Sequence, residues 1–170
     1  MTGQGLPRDF VNTEVIRIEK KEEEQVVIGH AGFIKSAEDL YEAMINSVPG
    51  VRFGLAFAEA SGPRLIRSEG NDDAMIKSAE SNMQRIGAGH TFIIIFSAAY
   101  PINVINSLKQ VNEVARIFCA TANAVEVIVA ETNSSRAIIG VADGMPPTGI
   151  EDDEGRSKRR KFLRDIGYKK

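Results

Sequence analysis

The chain has 170 residues, 43% of them apolar and 26% charged, and its 21 basic and 23 acidic side chains leave a formal charge of −2. That length suits one domain with a core of its own, and so even a charge balance excludes a general affinity for nucleic acid or an anionic membrane surface. One cysteine, Cys119, excludes an internal disulfide, and the longest apolar run, Phe92 to Phe96, is far too short to span a bilayer.

Residues 1–12 are polar and lack the apolar stretch of a signal peptide. They read as a flexible N-terminal extension ahead of a single domain over 13–170, and the reduced cysteine points to the cytoplasm. Glu14 to Glu19 and Gln25 to His30 carry alternating β-branched residues around the charged turn 20–24, which predicts an N-terminal hairpin. Ser36 opens a helix that Pro49-Gly50 stops.

Arg52 to Ala60 predicts a strand, with Leu65 to Arg67 returning beside it. Gly70 to Asp73 leads into a helix reaching Ile86, with Asn71 or Asp72 as its cap and Gly87 as its stop. His90 to Ser97 is apolar on both faces, the pattern of a central strand. Tyr100-Pro101 opens a further helix whose apolar spacing runs through Phe118, and Cys119 to Asn123 reads as a loop. Val125 to Thr132 and Arg136 to Asp143 form a C-terminal hairpin turning on 133–135. The tail runs from acidic (Glu151 to Glu154) to basic (Lys158 to Lys161) and ends in a short helix around Phe162 and Ile166. Strands and helices interspersed in this way predict an α/β domain, a mixed sheet covered by helices in a layered sandwich.

Two strands end alike. Phe53 to Glu59 and Val125 to Glu131 each close an apolar face with Ala-Glu and small polar residues. Side chains alternate along a strand, so Glu59 shares a face with Phe53, Leu55 and Phe57, and Glu131 with Val125, Val127 and Val129. A carboxylate at the end of such a face needs a partner, a ligand or a proton, and strand ends are where open α/β sheets hold ligands. The simpler reading is that each strand has reached solvent. If Thr132 pairs with Arg136, then Glu131 faces Ala137, Val125 faces Asp143, and Glu131 and Asp143 lie roughly 20 Å apart. Gly54, Ala56, Ala58 and Ala60 make a small-residue strip suited to close packing by a helix, or to a ligand or another subunit.

No phosphate-binding Gly-Lys-Ser/Thr loop and no Gly-x-Gly-x-x-Gly turn is present, which argues against a standard P-loop or dinucleotide site. Asp72 and Asp73 read first as caps; their alternative role is to hold Mg²⁺ against nucleotide phosphates. His30 and His90 are the only histidines and no close His/Cys spacing exists, so no firm metal site is expected. His90 is the more interesting as an acid or base. Cys119 reads as structural.

Phe53–Gly62, Gly70–Asp72, Gly87–His90, Cys119–Asn123, Val125–Thr132, Gly140–Gly144 and the closing Leu163–Lys169 together resemble the adenosine-specific kinase family, over nearly the whole chain from Thr13. Ala124 departs from an expected proline, which loosens the loop before the hairpin, and Ala58 stands where a cysteine is common. The resemblance implies an α/β fold, a trimeric or hexameric homo-oligomer, adenosine or AMP bound in clefts between subunits, and ATP-dependent phosphorylation of adenosine with Mg²⁺ accompanying the nucleotide. On that basis Glu59 or Asp72 is the candidate Mg²⁺ or base carboxylate. Arg67 and Arg160 are candidates for phosphate, and His90 with Asn123 for ribose or base. Asn71, Glu131 and Asp143 complete the polar positions expected to line the ligand. A non-catalytic adenine-nucleoside sensor or buffer would need the same residue types.

Overall fold

A computed structural model describes residues 10–170; most of the expected extension 1–12 lies outside the described residues. Eight strands and four helices follow one another: β1 (Asn12–Arg17), β2 (Gln25–Ala31), α1 (Ser36–Ile45), β3 (Arg52–Ala58), β4 (Ile66–Gly70), α2 (Asp73–Ile86), β5 (Thr91–Ser97), α3 (Pro101–Lys109), β6 (Val114–Thr121), β7 (Val125–Glu131), β8 (Arg136–Asp143) and α4 (Asp153–Asp165). They build a five-stranded sheet in the order β4-β3-β5-β2-β6 and a three-stranded sheet in the order β1-β7-β8.

β5 lies at the centre of the larger sheet, as its two apolar faces predict. Phe92, Ile94 and Phe96 point to the layer of α1 and α3, packing with Leu40, Met44, Val104 and Leu108. Ile93 and Ile95 point the other way, into a second core shared with α2 and with Val125, Val127 and Val129 of the small sheet. The result is the expected α/β layered sandwich: two helices, the large sheet, then α2 beside the small sheet. α4 stands apart, with no buried residue.

Of the strip Gly54, Ala56, Ala58 and Ala60, the first three serve helix packing, and Ala60 lies exposed past the end of β3. A Cβ on Gly54 would sit 2.0 Å from the Ile76 nitrogen and 2.2 Å from the Met75 carbonyl carbon, so α2 lies backbone-close against β3. α2 itself is bounded as its sequence predicts. Asp72 accepts the Met75 N–H at 3.0 Å, and Gly87, left-handed at φ 60°, donates its N–H to the Met83 carbonyl.

Three expectations are corrected. β1 and β2 do not form a hairpin; β1 pairs with β7 and β2 lies between β5 and β6, so the turn between them carries the chain from one sheet to the other. Asn82 of α2 fixes that crossing, its side-chain oxygen accepting the Glu19 N–H at 2.8 Å and its amide donating to the Glu19 carbonyl at 2.7 Å. Every strand pairing is antiparallel, so neither sheet is mixed. The helix after Tyr100 stops at Lys109, and 114–121 is the strand β6. Val111, Val114 and Phe118 keep the helical spacing of α3, yet Val114 packs on the α1–α3 side of the sheet and Phe118 on the other; β2, which would otherwise leave a sheet edge open, takes β6 as its ladder partner.

The C-terminal hairpin forms, with its register shifted at the tip. Glu131 pairs with Arg136 and Ala130 with Ala137; a bulge at Ile139 then restores the expected pairing of Val125 with Asp143.

Candidate functional site

In the large sheet, β3 and β2 end at the same edge where β5 and β6 begin. Three contiguous clefts open along that edge. The largest, about 780 Å³, is bounded by Ala58 to Ala60, by Pro63 and Arg64, by the last turns of α2, and by the β7–β8 turn from Glu131 to Arg136. A second, about 360 Å³, lies between the sheets and shares Gly89 and Arg136 with the first. A third, about 310 Å³ and mostly apolar, runs past Phe33, Ile34, Phe57 and His90 and shares Glu59, Ala60 and Pro63.

Glu59 and Glu131, the two strand-ending carboxylates, both line the largest cleft. Glu59 lies just past β3 with its side chain only 6% exposed, and it has the partner such a group requires. One oxygen accepts the Leu65 N–H at 2.9 Å; the other accepts Arg67 Nε at 2.8 Å and lies 2.7 Å from Nη2. The Leu65 N–H first, and then Arg67, hold its carboxyl below the usual range. Glu131 is more open, its side chain 55% exposed, and pairs with Arg136 at 3.2 Å.

Arg136 ties this wall together. Its guanidinium also holds Glu14 of β1 at 2.9 Å and donates through Nε to the Ile86 carbonyl at 3.1 Å. A cation there meets the negative end of α2 and joins the small sheet to that helix. The tip register produces the Glu131 contact, because it sets Arg136 directly across from Glu131.

His90 occupies the turn before β5 in a left-handed conformation, φ 59°, unusual for a residue with a side chain. Its N–H donates to the Ala58 carbonyl at 2.7 Å and its carbonyl accepts the Ala31 N–H, locking the β3, β5 and β2 ends together. The ring stacks on Phe57 at 6.2 Å and meets His30 edge-on at 5.8 Å. His90 and Glu59 both line the third cleft.

The remaining predicted residues lie elsewhere. Asp72 caps α2 and pairs with Arg52 at the opposite end of β3, seven residues and roughly 20 Å from Glu59. The Met75 N–H, ahead of Arg52, keeps its carboxyl below the ordinary range. Asn71 splints the same end, accepting the Phe53 N–H and donating to the Val51 carbonyl, each at 2.8 Å. Asn123 donates to Asp143 at 2.9 Å at the far end of the hairpin from Glu131, as the expected separation of Glu131 and Asp143 requires. Arg160 lies on α4. Burial drives the Cys119 thiol up to about 12, with a further push from Asp143, so it is an inert core sulfur at neutral pH.

The family model described as adenosine-specific kinase matches residues 16–169 of this chain. The chain belongs to the adenosine-specific kinase family. Its structure is similar to the crystal structure of the PH1918 protein from Pyrococcus horikoshii OT3, with a TM-score of 0.92 and 46% identity over 95% of this chain and 99% of that one. No curated protein matches it. No described helix is long and apolar enough to cross a membrane.

In this member of the adenosine-specific kinase family, sequence reasoning missed Gln84, Arg116 and Arg136, all of which line the clefts. Gln84 belongs to the polar face of α2, where composition carries no signal. Arg116 lay inside the stretch read as helix, and Arg136 was taken only as the start of a strand.

Proposed function

We propose that this chain binds adenosine or AMP in the 780 Å³ cleft and transfers the γ-phosphoryl group of ATP to adenosine. The observation that carries the reading is that cleft: a space of the size that takes small ligands, at the strand ends of a member of the adenosine-specific kinase family. Its walls supply matching chemistry. Among the described residues the Gln84 side chain has no hydrogen-bond partner, and its amide offers a donor and an acceptor side by side, the arrangement complementary to an adenine edge. Arg64 lines the same space, has no carboxylate partner among the described residues, and supplies positive charge for a phosphate.

Phosphoryl transfer depends chiefly on positioning and charge neutralisation, so a P-loop is not required. Glu59 holds Arg67 at the rim of the cleft, and His90 beside it is the candidate acceptor for the proton of the ribose 5′-hydroxyl. Asp72 does not fit a Mg²⁺ role, since one oxygen caps α2 and the other is held by Arg52. Among the described residues no cluster of three or more His, Cys, Asp or Glu side chains could hold a metal ion. Mg²⁺ is therefore assigned to the MgATP substrate. Radiolabelled ATP incubated with adenosine tests the reading: labelled AMP is expected, and its absence at protein-stoichiometric concentration removes the kinase activity.

One observation favours a second reading, a non-catalytic adenine-nucleoside sensor or buffer. Both carboxylates of the cleft are engaged by arginines, which lowers their worth as bases. That reading expects saturable adenosine binding with no turnover.

A homo-oligomer, trimeric or hexameric, completes the proposal. Phe33, Ile34 and Leu65 are all more than half exposed around the apolar cleft and its rim, and Phe162 of α4 with Ile166 and Tyr168 just past its end are open to solvent. Arg160, Asn123 and Asp143 would reach a ligand in this cleft only from a neighbouring copy.

A further inference from the structure

One row of side chains crosses three strands at the open end of the space between the sheets. Arg116 of β6 pairs with His30 of β2, and His30 pairs with Thr91 of β5. Directly paired residues share a face, and all three line the 360 Å³ cleft, with Phe118 and Ile138 as apolar walls and no carboxylate in the lining.

Five arginines lie on strands among the described residues: Arg17, Arg52, Arg67, Arg116 and Arg136. Four of them hold carboxylates, Arg17 with Glu126, Arg52 with Asp72, Arg67 with Glu59 and Arg136 with Glu14 and Glu131. Among the described residues Arg116 has no carboxylate partner. Beside it, burial, then His90, then Arg116 itself lower the His30 pKa, so the site presents an imidazole N–H next to a guanidinium.

Gly89 forms the threshold to the larger cleft. A Cβ there would sit 2.9 Å from Ala60 Cβ, so glycine is what lets the two walls close together.

We propose that Arg116, His30 and Thr91 form an anion subsite for a phosphate group, joined across Gly89 to the nucleoside cleft. The subsite takes a phosphate monoester, and Arg116 is its principal ligand because a guanidinium grips phosphate oxygens in a bidentate fork. The assignment to a nucleotide rests on the adenosine reading above; the anion chemistry does not. It also differs from the sequence-based choice of Arg67 and Arg160: Arg67 is engaged by Glu59 and Arg160 lies on α4.

Calorimetric titration of the full chain with adenosine, AMP and inorganic phosphate at fixed ionic strength tests this, using wild type, Arg116→Gln and Arg116→Lys. The expected result is that Arg116→Gln weakens AMP about tenfold, as loss of a charge-assisted pair implies, that adenosine affinity stays within about twofold, and that Arg116→Lys recovers part of the loss. Inorganic phosphate should compete with AMP on wild type. If adenosine binds wild type while AMP affinity is the same in wild type and Arg116→Gln, the subsite is overturned and the nucleoside reading stands. If wild type binds neither adenosine nor AMP, the nucleoside reading falls, and ³¹P line broadening of inorganic phosphate decides the subsite. Broadening by wild type that Arg116→Gln abolishes supports it; no difference between the two proteins overturns it.

Discussion

Arg67 and Glu59 clasp each other at the open end of the β3–β4 pair, Nη2 2.7 Å from Oε1, with the second carboxylate oxygen taking the Leu65 N–H at 2.9 Å. The loop between the two strands is therefore fastened to the strand ends by one carboxylate. Glu59→Gln should lower the melting temperature at pH 7. The folded-state pKa of Glu59 is depressed, so its contribution is present above the unfolded carboxylate range, about 4.3, and is lost as pH falls through the folded value. The gap between wild type and Glu59→Gln should close in calorimetric scans taken from pH 7 down to about pH 3. A gap that persists at the acidic end would show that the charge is not what stabilises the loop.

Asp72 makes the opposite kind of prediction. As the cap of α2 and the partner of Arg52, it stabilises the helix on which the β3 packing depends. Asp72→Ala should cost about 1–2 kcal/mol by urea unfolding, and Asp72→Asn, which keeps a capping oxygen, distinctly less. Adenosine affinity should not change in either, because Asp72 lies at the other end of β3. A large loss of nucleoside binding at unchanged stability would return Asp72 to the site.

Gly54→Ala should be among the most damaging single-atom additions in the protein. The new methyl would fall on the backbone of Met75 and Ile76, which cannot move without lifting α2 from the sheet. Overpacking of this kind costs about 1–3 kcal/mol or more, read as a lower urea midpoint. Melting at the wild-type temperature would contradict the close packing of α2 on β3.

Gln84→Glu tests the proposed reading of the base. An amide matches an adenine edge, whereas a carboxylate accepts hydrogen bonds only and suits the two N–H donors of a guanine edge. Titration with adenosine and guanosine should show adenosine weakened about tenfold and the preference narrowed or reversed. Equal affinities in the two proteins would take Gln84 out of the ligand's path.

Phe162 lies on a helix with no buried residue and Ile166 directly follows it, both exposed. Replacing both with serine should lower the particle mass measured by light scattering and leave far-UV circular dichroism nearly unchanged. An unaltered mass would assign the subunit contacts to the exposed residues around Phe33 and Leu65 instead.

Much of this architecture was legible along the chain because it rests on local rules. The cap at Asp72, the stop at Gly87 and the two-sided apolar pattern of β5 each follow from neighbouring residues, whereas the pairing of Val125 with Asp143 holds only because the bulge at Ile139 offsets the one-residue shift at the hairpin tip. β6 was not legible: Val111, Val114 and Phe118 keep the helical spacing of α3, and only the open edge of β2 draws the stretch from Val114 into a strand. The separation of β1 from β2 was hidden for a related reason, since an alternating strand records that it has an apolar face but not which sheet that face will cover.

Sequence alone determined the family, the boundaries of α2, the central strand and the two carboxylates that end apolar runs, because capping, periodicity and motif are written within a few residues. Tertiary structure decided what those carboxylates do. It brought Glu59 and Glu131 to one cleft, left Asp72 and Asn71 at the far end of β3, and lined up Arg116 with His30 and Thr91. Those groupings join residues dozens of positions apart, and they depend on ladder register, where a shift of one residue changes which side chains meet.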